Sequence, residues 1–329
     1  MTTTVAPRIE RSRVDPVRAA TYAVIGIALG VAVYLAIDTP GYFTMANLRG
    51  ILAQSAYVGV FTVATALIMI SGNLFSLSIG ITGAITASSV LALLDNGGTV
   101  AIVLTLLLGV AVFAIQGFLV GEFGANPIIV TIAAGGLQQA IFLWASKGAT
   151  ILAPPGNTSL VFLTKLVDVP IIGELPLSVF VLFGVVVAAE LVMRKTRFGR
   201  TVYLVGENRP AARAAGLPVT LIVVGAFALA GLCAAIAGIE LAAFNGSGSL
   251  LVESTFTYDA IAAAVVGGIA ITGGRGSMFQ ALAGAIFVQA IATMLLIRGY
   301  SQGWQILVKG LIVLGAVVLM QLNRRRSER

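Results

Sequence analysis

Residues Arg194 to Gly216 read RKTRFGRTVYLVGENRPAARAAG, and this polar segment interrupts an otherwise apolar chain. It contains one acid, Glu207, and a set of bases: Arg194, Lys195, Arg197, Arg200, Arg209 and Arg213. A loop this basic between membrane spans is retained on the cytoplasmic side. The simplest interpretation is a solvated basic loop that only sets the topology of the chain.

The second half of the polar segment, from Glu207 to Gly216, predicts a short helix. Pro210 suits the first turn of a helix and Gly216 suits its C-terminal end. A helix this short is not stable alone in water, so we expect it to dock on a partner surface. The expected docking face is small and apolar with two arginines at its rim: Ala211, Ala212 and Ala215, with Arg209 and Arg213.

Composition places the chain among polytopic membrane proteins. It has 329 residues, of which 58% are hydrophobic and 10% are charged, and its mean hydropathy is +1.03. Soluble domains carry about a quarter charged residues. The net charge of +7 lies between apolar segments, which membrane topology explains better than nucleic-acid binding. The absence of His and the single Cys233 exclude internal disulfides, Cys/His metal sites and His-based catalytic triads.

Ten apolar segments approach the roughly 20 residues that a membrane-spanning helix needs. They are 19–37, 50–70, 74–94, 99–120, 126–145, 176–193, 219–242, 258–272, 277–297 and 302–320. The third is rich in hydroxyl side chains, and the eighth is short and contains glycine. Segments of this kind indicate broken helices beside a transport path. The sequence therefore predicts an all-α, polytopic fold of about ten spans, some of them broken.

The distribution of charge predicts that both termini are cytoplasmic. Most bases fall in the N-terminal tail 1–18, the polar loop 194–217 and the C-terminal tail 321–329, and few fall in the predicted outer segments. The transmembrane domain then spans 19–320. Its one long outer loop, 146–175, is too polar to lie in hydrocarbon, and we expect it to cover the outer mouth of the protein.

A faint internal repeat relates the two halves of the chain. A shift of 201 positions aligns Tyr57 with Tyr258 and Gly72 with Gly273. In the predicted topology both copies run in the same direction through the membrane, which indicates a parallel repeat. Chance matches in a biased composition are the alternative explanation.

The residues that nucleotide binding or ion-coupled transport would require are mostly missing. No G-x-x-x-x-G-K-[ST] loop is present, so the chain does not bind nucleotide by that motif. The few ionisable residues in or near the spans do not form the midplane network typical of ion-driven carriers: Glu190, Glu240, Asp259 and Lys309. Ser, Thr, Asn and Gln are frequent in the interior instead. They suit a neutral polar solute, and they also join helices by hydrogen bonds.

Several motifs resemble the ribose-type permeases of bacterial ABC sugar importers, a group in the branched-chain permease superfamily that includes ribose, xylose, galactofuranose and autoinducer-2 systems. Thr196–Gly216 resembles the cytoplasmic loop of that family. YDAIAAAVVGGIAITGGRGS, Tyr258–Ser277, is similar to its D-A-I-A-x-V-x-G-G-x-x-x-x-G-G-x-G-S run. Further matching stretches are Asn47–Gly72, Phe227–Gly238 and Tyr300–Leu319.

One motif departs from the family pattern. The family reads G-G-I-D-L-S-x-G after its second span, whereas this chain reads GNLFSLSIG from Gly72 to Gly80. Ser76 stands where the acid would fall, which removes a two-oxygen acceptor for solute hydroxyls. We expect transport to survive this change, but the identity of the solute does not carry over from the family.

The resemblance implies a permease that moves a small neutral polar solute, a monosaccharide or related sugar, inward by alternating access. The implied partners are a second permease chain, either a copy or a paralogue, ABC ATPase subunits and an extracytoplasmic solute-binding protein. ATP and Mg²⁺ belong to the ATPase subunits, so this chain is expected to be neither an enzyme nor a cofactor-binding protein. The implied location is the bacterial inner membrane.

The resemblance also assigns two groups of residues, without a catalytic or metal site. The helix that couples the chain to the ATPase comprises Glu207, Asn208, Arg209, Pro210, Ala211, Ala212, Arg213, Ala214, Ala215 and Gly216. The expected solute pathway lies between the third and eighth segments and comprises Gln54, Asn73, Ser76, Ser78, Gly80, Asp259, Gly267 and Gly268.

Three alternatives stay open. An ion- or proton-coupled secondary transporter would work without an ATPase, and the missing midplane charges count against it. A membrane-embedded enzyme is disfavoured by the absence of His and of clustered acids. An ABC permease for another solute, such as a nucleoside or a branched-chain amino acid, would share the same motifs.

Overall fold

The computed structural model describes residues 37–153, 163–164, 170–172, 175–250 and 255–327. The predicted N-terminal tail 1–18 and all but the last residue of the predicted span 19–37 lie outside these ranges. So do much of the predicted outer loop 146–175 and the end of the tail 321–329.

Eleven α-helices form the described part of the chain, and strands are limited to a few residues. The helices are α1 Met45–Ile70, α2 Ile79–Ala92, α3 Gly98–Glu122, α4 Pro127–Ser146, α5 Leu177–Lys195, α6 Arg197–Glu207, α7 Arg209–Ala214, α8 Val219–Asn245, α9 Thr255–Val266, α10 Met278–Ile297 and α11 Gln302–Ser327. A 3₁₀ turn, Leu94–Asn96, precedes α3. The predicted all-α fold is therefore confirmed.

Six of the described helices are long and apolar enough to cross a membrane: α1, α3, α4, α5, α8 and α10. Each coincides with one of the predicted spans. The last predicted span, 302–320, forms the first part of α11, which continues through the basic end of the chain to Ser327.

The two weakest predicted spans are short helices. α2 has 14 residues and α9 has 12. At 1.5 Å per residue each extends only about 20 Å, whereas the hydrocarbon core of a bilayer is about 30 Å thick. Each short helix adjoins a non-helical segment: 71–78 precedes α2, and 267–277 follows α9. The prediction of broken helices at these two places is confirmed.

Helix α1 lies at the centre of the bundle. Every residue from Ser55 to Ile70 is buried, and α5, α8, α9 and α10 all pack against it. Helix α8 also runs along α3 in close contact, because glycines face each other there. A β-carbon added at Gly109 would lie 2.6 Å from the carbonyl oxygen of Gly231.

Two short strand pairs lie beside the helices. β1 Ile151–Leu152 pairs antiparallel with β4 Ser247–Gly248, so that Ile151 faces Gly248. β2 Pro170–Ile172 pairs antiparallel with β3 Leu175–Pro176. The first pair fastens the start of the predicted outer loop to the end of α8, and Leu163 of the same loop is buried in the hydrophobic cluster of α2, α3 and α8.

Candidate functional site

The polar segment folds as two consecutive helices. Thr196 caps α6, its hydroxyl accepting a hydrogen bond from the backbone N–H of Gly199 at 3.1 Å. Asn208 caps α7 by accepting from Ala211 N at 3.0 Å, and Gly216 ends the turn with a φ of +74°. The short helix and its glycine stop were predicted. Helix α6 was not, although the Thr196 cap and the spacing of Val202 and Val205 signal an amphipathic helix.

The orientation of α7 differs from the prediction. Ala212 is 5% exposed and lies in the main hydrophobic cluster of the protein, so its placement on a face open to a partner is wrong. Ala211 and Ala215 are exposed, as expected for that face, together with Pro210 and Ala214. A helix of six residues is not stable alone and needs a surface to pack on. Here the same chain supplies such a surface, and Ala212 packs against it.

Arg209 also differs from the prediction, because it does not lie at the rim of an exposed docking face. It is half-buried, and its guanidinium donates a hydrogen bond to the side-chain oxygen of Asn73. Burial, and to a smaller extent the nearby Arg213, lower the pKa of Arg209. Asn73 is fully buried and donates in turn to the hydroxyl of Ser71 at 2.7 Å. Asn73, predicted to line the solute pathway, therefore connects α7 to the end of α1.

A second set of contacts ties α5 and α6 to the segment before α10. The buried carboxylate of Glu190 accepts from the backbone N–H of Met278 at 2.7 Å and also pairs with Arg194, one helical turn further along α5. The hydroxyl of Tyr203 donates to Gly276 O at 2.9 Å. Burial, reinforced by the charge of Glu190, raises the pKa of Tyr203.

Ser76 and Ser78 form a buried polar cluster. Their hydroxyls lie 3.0 Å apart, and Ser78 donates to the side-chain oxygen of Gln116 at 2.9 Å. The backbone N–H of Leu77 donates to the hydroxyl of Thr131 at 3.2 Å. This cluster joins the non-helical start of α2 to α3 and α4. Among the described residues, the amide nitrogen of Gln116 has no hydrogen-bond partner.

The two broken segments meet at their helix starts. Gly80 N, in the first turn of α2, donates to the hydroxyl of Thr257 in the first turn of α9 at 2.9 Å. This contact brings the third and eighth predicted segments together. Gln116, Thr131 and Thr257 were not selected as site residues from the sequence. Their one signal was a polar side chain inside an apolar span.

The other predicted pathway residues have different partners. Asp259 accepts from Lys309 at 2.8 Å on each carboxylate oxygen, an ion pair between α9 and α11. Gln54 accepts from Gln289 at 2.6 Å, between α1 and α10. Gly267 and Gly268 form the turn that ends α9, against the first turn of α10.

Comparison with known proteins gives consistent matches along the chain. The family described as "Branched-chain amino acid transport system / permease component" matches residues 47–317. The autoinducer 2 import system permease protein LsrC of Enterobacter sp. (strain 638) is 33% identical over 85% of this chain and 80% of its own length. The ribose import permease protein RbsC of Escherichia coli (strain K12) is 30% identical over 85% and 87%.

A further relative is the D-allose transport system permease protein AlsC of Escherichia coli (strain K12). It is 28% identical over 90% of both chains. No solved structure matches the chain. These matches confirm the resemblance to ribose-type permeases that the motifs indicated.

Proposed function

The chain belongs to the family of permease components of branched-chain amino acid transport systems, and from this membership we propose that it is the permease subunit of an ATP-driven sugar importer. The relatives named for ribose, autoinducer 2 and D-allose support a sugar or sugar-like solute. The observation that carries the proposal is helix α7, which is braced on the protein itself and leaves Ala211, Ala214 and Ala215 exposed.

The exposed side of α7 suits a groove on an ATPase subunit. Small side chains allow close approach, and the charge of Arg213 lies beside them. An apolar face of this kind, set in a partner's groove, is a common mode of helix recognition. The partner in this proposal is an ABC ATPase, which binds ATP and Mg²⁺ and carries out the hydrolysis.

The buried cluster of Ser76, Ser78 and Gln116 suits a neutral solute with several hydroxyl groups. Hydroxyl and amide side chains both donate and accept hydrogen bonds, as sugar hydroxyls do. The unpartnered amide nitrogen of Gln116 is a donor that a solute oxygen would satisfy. In the proposal the solute passes between α2 and α9 when these segments separate.

Transport by alternating access needs a source of differential affinity for the inward- and outward-facing states. ATP binding and hydrolysis on the ATPases supply it here. A second permease chain, identical or paralogous, completes the pathway, and a solute-binding protein delivers the sugar on the outer side. Both termini and α7 face the cytoplasm of the bacterial cell.

Reconstitution tests the function. Affinity-tagged permease, purified from its own host, should retain an ATPase subunit. Vesicles that contain the complex, with ATP supplied inside and the binding protein added outside, should accumulate radiolabelled D-ribose, D-allose or autoinducer 2. Thermal-shift screening of the binding protein identifies the solute among them. Uptake driven by a sodium or proton gradient, with no ATPase retained, would instead establish a secondary transporter.

Thiol labelling tests the orientation. Cysteine introduced at Glu207 should resist an impermeant thiol reagent in intact cells, whereas cysteine at Asn157 should react. In inverted vesicles the Glu207 variant should react and the Asn157 variant should not, and both should react after permeabilisation. Reaction of the Glu207 variant from outside would contradict the proposed topology, because the basic loop would then lie on the wrong side.

A further inference from the structure

Three segments of the chain meet backbone to backbone beside α7. They are Gly72 after α1, Gly206 in the last turn of α6, and Gly273 with Gly274 in the segment between α9 and α10. A β-carbon added at Gly72 would lie 2.9 Å from the Cα of Gly206, and one added at Gly273 would lie 2.6 Å from the Gly206 carbonyl oxygen. We name these four residues the glycine joint.

The glycine joint has no room for a side chain at its centre. A β-carbon at Gly206 would overlap the carbonyl oxygen of Ile70 and lie 2.8 Å from Gly274 N. Gly72 and Gly273 also have positive φ values, +77° and +90°, which residues with a β-carbon rarely adopt. The contact is therefore made by main-chain atoms, which cannot change rotamer to absorb a displacement.

Hydrogen bonds and an ion pair brace the glycine joint. Gly274 N donates to Ile70 O at 2.9 Å, which connects the two segments on either side of α6. The bond from Arg209 to Asn73 extends the connection onto α7, and the 3.7 Å pair between Arg275 and Glu207 adds a contact to the last residue of α6. Protein interiors packed this closely transmit displacement with little slack. A movement of α6 and α7 must therefore carry both neighbouring segments with it.

Both neighbouring segments lead to a broken helix. Gly72 precedes α2, and Gly273 follows α9. The two glycines are also the positions that the shift of 201 residues aligns, so the faint repeat places equivalent points of the two halves against the same residue. Contact at Gly206 thus reaches both walls of the region where α2 and α9 meet.

We infer that Gly206 is a positioning residue through which movement of the α6–α7 segment displaces the α2 and α9 segments together. The inference rests on the proposed function, since it requires an ATPase to move α7. It assigns to Gly206, Gly72 and Gly273 the transmission of that movement, whereas the contact with the ATPase belongs to the exposed face of α7.

Spin-label distances test the joint without any solute. The labels are placed on exposed residues, Leu204 of α6, Tyr258 of α9 and Trp144 at the end of α4, in the complex with its ATPase in lipid nanodiscs. In the wild type, ATP should shift the Leu204–Trp144 distance and leave the Leu204–Tyr258 distance unchanged. In Gly206→Ala, ATP should shift the Leu204–Tyr258 distance as well.

Gly109→Ala is the matched control. Its β-carbon would also press on main chain, at 2.6 Å from Gly231 O, but between α3 and α8 and away from the glycine joint. It should lower the yield of folded complex and leave the ATP-dependent distances as in the wild type. Solute moved per ATP hydrolysed should fall by about tenfold in Gly206→Ala and stay unchanged in Gly109→Ala, within the usual range of coupling free energies.

The outcomes separate the two proposals. A wild-type permease that retains no ATPase contradicts the proposed function. A complex that retains its ATPase, but in which ATP changes the Leu204–Tyr258 distance or moves neither pair, overturns the joint alone. If Gly206→Ala does not assemble, the wild-type distances still decide the matter, because a rigid connection between α6 and α9 keeps Leu204 and Tyr258 at a constant separation.

Discussion

The guanidinium of Arg209 donates a hydrogen bond to the side-chain oxygen of Asn73, so the first residue of α7 is bonded to the segment that follows the central helix. The two residues are 136 positions apart in the chain. Asn73 is fully buried, and Ser71 holds its amide nitrogen. Helix α7 is therefore part of the folded permease before any partner binds.

Replacement of Arg209 by Ala should destabilise the permease. The variant leaves the buried oxygen of Asn73 without a donor, which costs about 1–3 kcal/mol of the free energy of unfolding. Arg213→Ala, at an exposed position of the same helix, should change it by less than about 0.5 kcal/mol. Thermal unfolding of the purified protein in detergent measures both. Equal losses in the two variants would mean that the Asn73 bond contributes nothing.

Ala211 and Ala212 should respond in opposite ways to a glutamate. Ala212→Glu introduces a charge into the main hydrophobic cluster, which costs several kcal/mol and should abolish the folded permease in size-exclusion chromatography. Ala211→Glu lies on the exposed face, so it should fold normally and lose retention of the ATPase in a pull-down. Normal retention by Ala211→Glu would remove this face from the proposed contact.

Ser78→Ala should impair transport as well as stability. Loss of the hydroxyl leaves the buried Gln116 side-chain oxygen without its donor, which costs about 1–3 kcal/mol of the free energy of unfolding. In the complex that assembles, we expect KM for the solute to rise several-fold. Thr105→Val is the control. Thr105 lies on α3, as Gln116 does, and its buried hydroxyl has no hydrogen-bond partner among the described residues. Uptake kinetics in vesicles compare the two. An unchanged KM in Ser78→Ala would assign the cluster to helix packing.

The ion pair between Asp259 and Lys309 should behave as a structural contact. Removing either partner alone leaves a largely buried charge unpaired, and we expect a loss of about 3–5 kcal/mol in Asp259→Leu or Lys309→Met. The double variant should recover most of this stability, because it buries no charge. Thermal unfolding measures the recovery. A double variant that folds well but no longer transports would return Asp259 to the solute pathway, where the sequence placed it.

Local patterns in the sequence predicted many of the helices and their ends. Long apolar runs predict membrane helices because backbone groups in hydrocarbon must bond within their own segment. The same logic marked 74–94 and 258–272 as broken, and α2 and α9 are short. Pro210 and Gly216 bound α7 through their own backbone preferences, which neighbouring segments do not change.

The sequence did not reveal which residues of these helices contact each other, and only the tertiary structure decided it. An alanine-rich helix of six residues has no hydrophobic period that distinguishes Ala212 from Ala211. The sequence therefore could not predict which face of α7 is buried. Polar residues inside apolar spans are equally ambiguous: Asn73 pairs with Arg209 and Asp259 with Lys309, whereas Ser78 pairs with Gln116. Such pairs join segments far apart in the chain, and their choice follows from which helices pack together rather than from any local preference.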